Sequence, residues 1–252
     1  MKKILCLVLM LAFVMCSALA SAEDLPVLSY ADYAATVVEG DDEVAVCVET
    51  NVQDVQAWKD GKISVYAQSE EGAIFIYGMA CPEEDAARLV PGTKIRVKGF
   101  KKVWNGEAEI VDGVFEFVDG DSYIAEAEDM TDLLGTDELA VHQNEKVAFF
   151  GLKVAPSKVE GVEEEFAFLY NWNGSGDRES NSDLYFNAEL DGKVYSFCVE
   201  SDLCGNDTEV YQAVETLQVG DMIDVECYLY WYNEPNPHVI AVYPAETEEQ
   251  AE

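Results

Sequence analysis

The sequence predicts a mainly β protein: two five-stranded barrels in tandem, each with a short helix between its third and fourth strands. Three observations point there. Short runs rich in Val, Ile, Phe and Tyr, many alternating apolar with polar residues, are separated by Gly, Pro, Asn and Asp. The same order of runs occurs twice. Aromatic residues make up 11% of the 252, with 13 Tyr, so a core can be buried despite a formal net charge of −35.

The first copy comprises EVAVCVE (43–49), ISVYAQ (63–68), GAIFIYGMA (72–80), LVPGTKIRVKGF (89–100) and AEIVDGVFEFV (108–118). The second comprises KVAFFGLKV (146–154), LYFNAEL (184–190), GKVYSFCVE (192–200), LQVGDMIDVECY (217–228) and HVIAVY (238–243). Laid over each other, Gly72 falls on Gly192, Leu89 on Leu217, Gly92 on Gly220, Ile95 on Ile223, Val97 on Val225 and Asn105 on Asn233. Matches kept in one order point to duplication. Asp191-Gly192 predicts a two-residue hairpin turn, since both turn residues must reach positive φ. Glu70-Glu71-Gly72 holds the same place in the first copy. Pro82 opens a short helix, PEEDAARL, with acids in the first turn where the dipole favours them. Asp207 or Thr208 caps the matching TEVYQAVETL.

Three strands, a short helix, then two strands is the order of a five-stranded OB barrel. ISVYAQSEEGAIFIY followed by LVPGTKIRVKGFKKVWNGEAEI resembles the exported bacterial OB-fold modules, with a Pro-Gly turn before the fourth strand and an Asn-Gly-Glu turn before the fifth. The resemblance is clear over 44–118 and looser over 139–245. There Asn233-Glu234-Pro235-Asn236-Pro237 replaces Asn105-Gly106, and NGSGDRESNSD (173–183) is inserted. It implies tandem OB-like modules and no particular activity.

The remaining segments complete the division. Lys2 and Lys3, the apolar run at 4–15 and Ala20-Ser21-Ala22 form the three parts of a secretory signal, cleaved after Ala22. The run is too short for a span of about 20 residues. A lipoprotein reading at Cys16 is weakened by Met15, where that signal has a small residue. Then follow an acidic lead-in (23–42, with a short helix in SYADYAATV), the first OB-like domain (43–120), a linker (121–138), the second (139–245) and a disordered acidic tail (246–252). The expected protein is therefore secreted, and free of the membrane once the signal is removed.

Fifty acids face 15 bases. Losing Lys2 and Lys3 takes the net charge from −35 to −37. Nucleic-acid binding draws affinity from Lys and Arg, so the charge predicts no nucleic-acid partner, and anionic membranes are disfavoured likewise. Cations and basic partners are attracted. Outside the signal five cysteines remain, an odd number. Cys198 and Cys204 are the candidate disulfide, closing a small loop. The cysteines lack C-x-x-C spacing and only His142 and His238 exist, so no metal site is predicted. Acid-rich loops at 39–43, 119–121 and 129–137 offer oxygen ligands of the kind Ca²⁺ takes, without EF-hand spacing; solvated loops are the blander reading.

No catalytic motif is present: Gly174-Ser175-Gly176 is not a nucleophile elbow, and HExxH, Walker and Rossmann patterns are missing. With 50 acids, chance carboxylate pairs carry no signal. Aromatics supply the candidate binding face. OB ligands lie across strands 2 and 3 and the loops 1–2 and 4–5, which here hold Trp58, Tyr66, Tyr77 and Trp104, then Trp172, Tyr185, Trp231 and Tyr232. The expected function is a non-catalytic module using these rings to bind a protein, peptide or carbohydrate. The alternatives are a structural or assembly role, with the rings packed between barrels, and a carboxylate-based hydrolase.

Overall fold

The computed structural model describes residues 25–245. The signal, Cys16 and the tail expected at 246–252 lie outside the described residues. None of the described helices is long and apolar enough to cross a membrane.

Two closed five-stranded barrels follow each other. In the first, β1 (Val44–Val55), β2 (Lys62–Ser69), β3 (Gly72–Ala80), β4 (Lys94–Trp104) and β5 (Glu107–Phe117) close in the order β1-β2-β3-β5-β4. β3 meets β5 in parallel, and every other pair is antiparallel. The second barrel repeats this with β7 (Lys146–Ala155), β8 (Leu184–Leu190), β9 (Lys193–Val199), β10 (Met222–Tyr228) and β11 (His238–Pro244). β7 pairs β8 and β10, and β9 meets β11 in parallel. Closure matters because it removes the unpaired edges of the main sheet.

The aligned residues do the same work twice. Ile95 and Ile223, and Val97 and Val225, are buried in their own barrels. Gly92 N–H donates to Val52 O at 2.8 Å, and Gly220 N–H to Val154 O at 2.9 Å. Asp191 and Gly192 take φ of 50° and 79°, as a two-residue hairpin turn demands.

Short helices fill the predicted places. α1 (Tyr30–Ala35) forms in the lead-in, capped by the Ser29 hydroxyl, which accepts from Asp32 N–H. α2 (Glu83–Ala86) is shorter than PEEDAARL suggests, with Pro82 just outside it rather than in its first turn. α3 (Glu209–Val214) is capped by Thr208, which accepts from Tyr211 N–H. The lead-in is held against the first barrel: Tyr33 enters the core, and the buried Lys101 ammonium donates to the carbonyls of Tyr33, Ala34 and Thr36. The bridge between barrels is tied down by Gln53, whose amide donates to Tyr123 O and accepts from Ala125 N–H. It then adds a short parallel strand, β6 (Glu128–Asp129), to β7.

The two cores are separate, and a third cluster joins them. Val46, Val65, Ile76 and Ile110 fill the first; Phe149, Phe186, Phe197 and Val225 fill the second. On the outer faces of β2 and β3, Tyr66 and Phe75 are covered by Tyr228 of the second barrel. Tyr66 and Tyr228 stack with centroids 4.4 Å apart. Such pairs are worth about 0.5–1.5 kcal/mol beyond the area they bury.

Candidate ligand groove at the barrel junction

Burial against the second barrel takes only part of the β2–β3 face. The rest opens as a groove of about 730 Å³, within the range of small-molecule sites. The loop after β1 contributes Lys59, β2 contributes Lys62, β3 contributes Tyr77, the end of β4 contributes Lys102 and Trp104, and β5 contributes Glu109. Tyr230 closes the side nearest the second barrel.

Strand alternation explains who faces the groove. Ala108 and Ile110 flank Glu109 on β5; Ile110 fills the barrel and Glu109 turns outward. The Asn105-Gly106 turn sets the register, so Lys102 lies opposite Glu109. Lys102 nevertheless bonds Glu43, at 3.0 Å. Lys59 is likewise taken, by Asp202 at 2.5 Å. Glu109 is 5% exposed and has no hydrogen-bond partner among the described residues. Burial raises it to about 7, against the opposing pull of Lys102.

Two residues away, Glu107 is spent on structure. Asn144 Nδ2 donates to it at 2.7 Å and Trp231 N–H at 2.9 Å, both from the second barrel. Burial raises it to about 8, more than these two bonds lower it. On the second barrel's corresponding face a smaller concavity, about 250 Å³, is lined by Trp172, Tyr185 and Tyr232 with Asn187 and Ser196. Trp104 of the first groove and Tyr232 of the second hollow lie with their rings 5.2 Å apart.

The eight aromatics singled out in the sequence therefore divide. Tyr77 (57% exposed) and Trp104 (45%) line the first groove; Trp172 (74%), Tyr185 and Tyr232 line the second hollow. Tyr66 is no binding residue: it is fully buried between the barrels, its hydroxyl on His238. Trp58 is half-buried over the first core, its Nε1–H donated to Cys81 O at 2.9 Å. Trp231 is half-buried, with its indole against Gly106. The fourth strand of the second barrel ends at Tyr228, and Trp231-Tyr232 pairs with Glu234-Pro235. Glu109, Lys62 and Tyr230 were not among the sequence candidates. The register of the Asn105-Gly106 hairpin was the signal that could have found Glu109.

The candidate disulfide is not formed. Cys198 and Cys204 are both free and buried, Cys198 beside Tyr185 and Cys204 within the second core. Among the described residues no three His, Cys, Asp or Glu side chains gather to hold a metal ion, including in the acidic loops.

No family model and no curated protein matches the chain. Similar solved structures include the Ifi202 HINa domain in complex with 20-bp double-stranded DNA, at 11% identity and TM-score 0.34, covering 82% of this chain and 100% of that one. A murine DNA binding protein bound to double-stranded DNA shares 11% identity at TM-score 0.33, covering 81% and 100%. A deletion mutant of the single-stranded DNA binding protein from Thermus aquaticus shares 8% at TM-score 0.25, covering 84% and 98%. At these scores the likeness assigns no residue and no ligand. It does correct the expectation drawn from charge: chains similar to this one are seen with DNA, so the exclusion of nucleic acid does not stand. Net charge alone does not fix the charge of any one surface: eight of the chain's 15 bases fall within residues 59–102 (Lys59, Lys62, Arg88, Lys94, Arg96, Lys98, Lys101 and Lys102), although five of these pair with acids and Lys101 is buried.

Proposed function

We propose that the chain is a binding module whose ligand lies in the first-barrel groove, with a flat ring stacked on Tyr77, Trp104 or Tyr230 and an N–H group donated to Glu109. One observation carries this reading: Glu109 is nine-tenths buried, lines an open groove and accepts no hydrogen bond among the described residues. A hydrogen bond to a charged group is worth about 1.5–3 kcal/mol net, and stacking on an exposed aromatic adds about 1–3 kcal/mol per base where the ring is a nucleobase. The contact between Trp104 and Tyr232 lets a longer ligand continue into the second hollow. Export through residues 1–22 belongs to the same reading. So does binding rather than catalysis: of the two β5 carboxyls raised by burial, only Glu109 lines the groove.

The test is a titration with adenosine, cytidine, short dA and dC oligonucleotides and phenethylamine, followed by tryptophan fluorescence and NMR shifts. At least one of them is expected to bind, and Trp104→Ala or Glu109→Gln to weaken it tenfold or more. Binding by none, or binding untouched by both substitutions, overturns the reading.

A further inference from the structure

We propose that the ligand of the first-barrel groove is a ring-bearing organic cation, its ammonium group seated on Glu109 and its ring against Tyr77, Trp104 or Tyr230. This rests on the groove reading above and names the ligand's chemical class. The geometry supplies two independent parts. One is the carboxyl of Glu109, a residue 5% exposed overall, which opens onto the groove and has no hydrogen-bond partner among the described residues, its cross-strand neighbour Lys102 bonding Glu43 instead. The other is the aromatic wall: Tyr77 and Trp104 are about half exposed, and Tyr230 stands beside them. An ammonium is attracted both to a carboxylate and to the face of an aromatic ring, more strongly when water is excluded. A neutral N–H donor gains only the hydrogen bond.

The surroundings favour a cation over a neutral or anionic ligand. Five acids (Glu43, Asp60, Glu109, Asp112 and Asp202) and three lysines line the groove, a local excess of negative charge. Such a field concentrates cations near the surface and speeds their encounter. Two of the three lysines in the groove, Lys59 and Lys102, are already paired with acids. Volume points to an organic ion. About 730 Å³ is far more than a bare metal ion fills, and no metal-holding cluster exists among the described residues. A site of that size suits a small molecule.

Glu109 also provides a second readout. The titratable groups around it are Lys102 on β4, Glu107 and Asp112 on its own strand, Glu43 before β1, Tyr33 on α1, Lys59 and Asp60 in the loop after β1, Lys62 on β2, Tyr77 on β3, and Asp202 and Tyr230 from the second barrel. Its carboxyl, raised to about 7 by burial, is partly protonated at neutral pH in the empty groove. A cation favours the ionised form, so its binding strengthens as pH rises through this range.

The experiment compares phenethylamine, its neutral analogue 2-phenylethanol and the anion 3-phenylpropionate. Each is titrated into the folded chain at constant ionic strength, by calorimetry and NMR. Phenethylamine is expected to bind at least tenfold tighter than 2-phenylethanol, with 3-phenylpropionate weakest. In Glu109→Gln, an isosteric change, that preference is expected to collapse to threefold or less. Equal binding of amine and alcohol, with shifts at Tyr77 and Trp104, overturns the cation assignment and leaves the groove reading standing. A preference that survives Glu109→Gln unchanged also overturns it. No shift at Tyr77 or Trp104 from any of the three overturns the inference, while the nucleoside and oligonucleotide titrations judge the groove reading separately.

Discussion

Asn105 and Asn233, which the internal repeat lays over each other, touch: Asn233 N–H donates to Asn105 O at 2.5 Å. The duplicated β4–β5 turns of the two barrels therefore dock on one another. Both asparagines hold positive φ, 49° and 62°, which their short polar side chains tolerate. Gly106 follows at φ 90°, and a Cβ there would lie 2.8 Å from the Trp231 ring. Gly106→Ala is therefore expected to cost about 1–3 kcal/mol through backbone strain and to displace Trp231. Urea unfolding with tryptophan fluorescence checks both. A variant with the wild-type midpoint and emission maximum would count against this docking.

A second contact, Tyr66 with His238, crosses the same junction. Their polar atoms are 2.5 Å apart, and His238 is held neutral by complete burial, at about 3. The phenol, kept protonated by its own burial, donates to Nδ1. Tyr66→Phe keeps the stack on Tyr228 and leaves that nitrogen unpaired, at a cost of about 1–3 kcal/mol. Double-mutant analysis with His238→Phe is expected to give a coupling of about 0.5–3 kcal/mol. Additive losses would mean that the bond contributes nothing.

The barrels were legible because strand patterning is local. Alternation in ISVYAQ and LYFNAEL, and turn residues such as Asp191-Gly192, each specify their element without help from elsewhere. The junction was not legible, because it depends on which outer faces meet. Tyr66 and Tyr77 look alike in sequence: both are aromatic and both sit on the outer face of their strand pair. Only the position of Tyr228 makes one a core residue and the other a groove residue. Glu109 was hidden for a different reason. Among 50 acids it has no distinguishing composition, and what sets it apart is burial together with the loss of Lys102 to Glu43.

Glu107 makes stability depend on pH. Its carboxyl ionises near 4.5 when unfolded and near 8 when folded. Between those values the folded chain holds a proton that the unfolded chain has released. Stability is thus fully present below about 4.5 and declines as pH rises through 8, by up to about 1.4 kcal/mol per pH unit for each proton. Glu109 and Glu200, both raised to about 7, act in the same sense. His238, held at about 3 by burial, acts in the opposite sense up to about 6.5, one imidazole against three carboxyls, and Glu49, held low by Arg96, matters only below this window. Urea midpoints are expected to fall from pH 5 to pH 8, and Glu107→Gln to flatten the fall by about one proton's slope. A rising profile, or an unchanged slope in Glu107→Gln, contradicts this.

Cys47, Cys81, Cys198, Cys204 and Cys227 are all free and buried. Burial pushes each thiol up, Cys204 to about 12 and Cys198 and Cys227 well above their ordinary value. Thiolate is the reacting form, so both its scarcity and its inaccessibility protect these residues in the folded state. A chain spanning residues 23–252, unfolded in guanidinium without reductant, is expected to titrate five thiols with a disulfide exchange reagent. The folded chain is expected to react only as fast as it opens, with labelling slowed by orders of magnitude. A bond between Cys198 and Cys204 would remove two thiols from the unfolded count. That shortfall would show that oxidation rearranges the segment after β9, where Cys204 now packs with Val210 and Val214 in the second core.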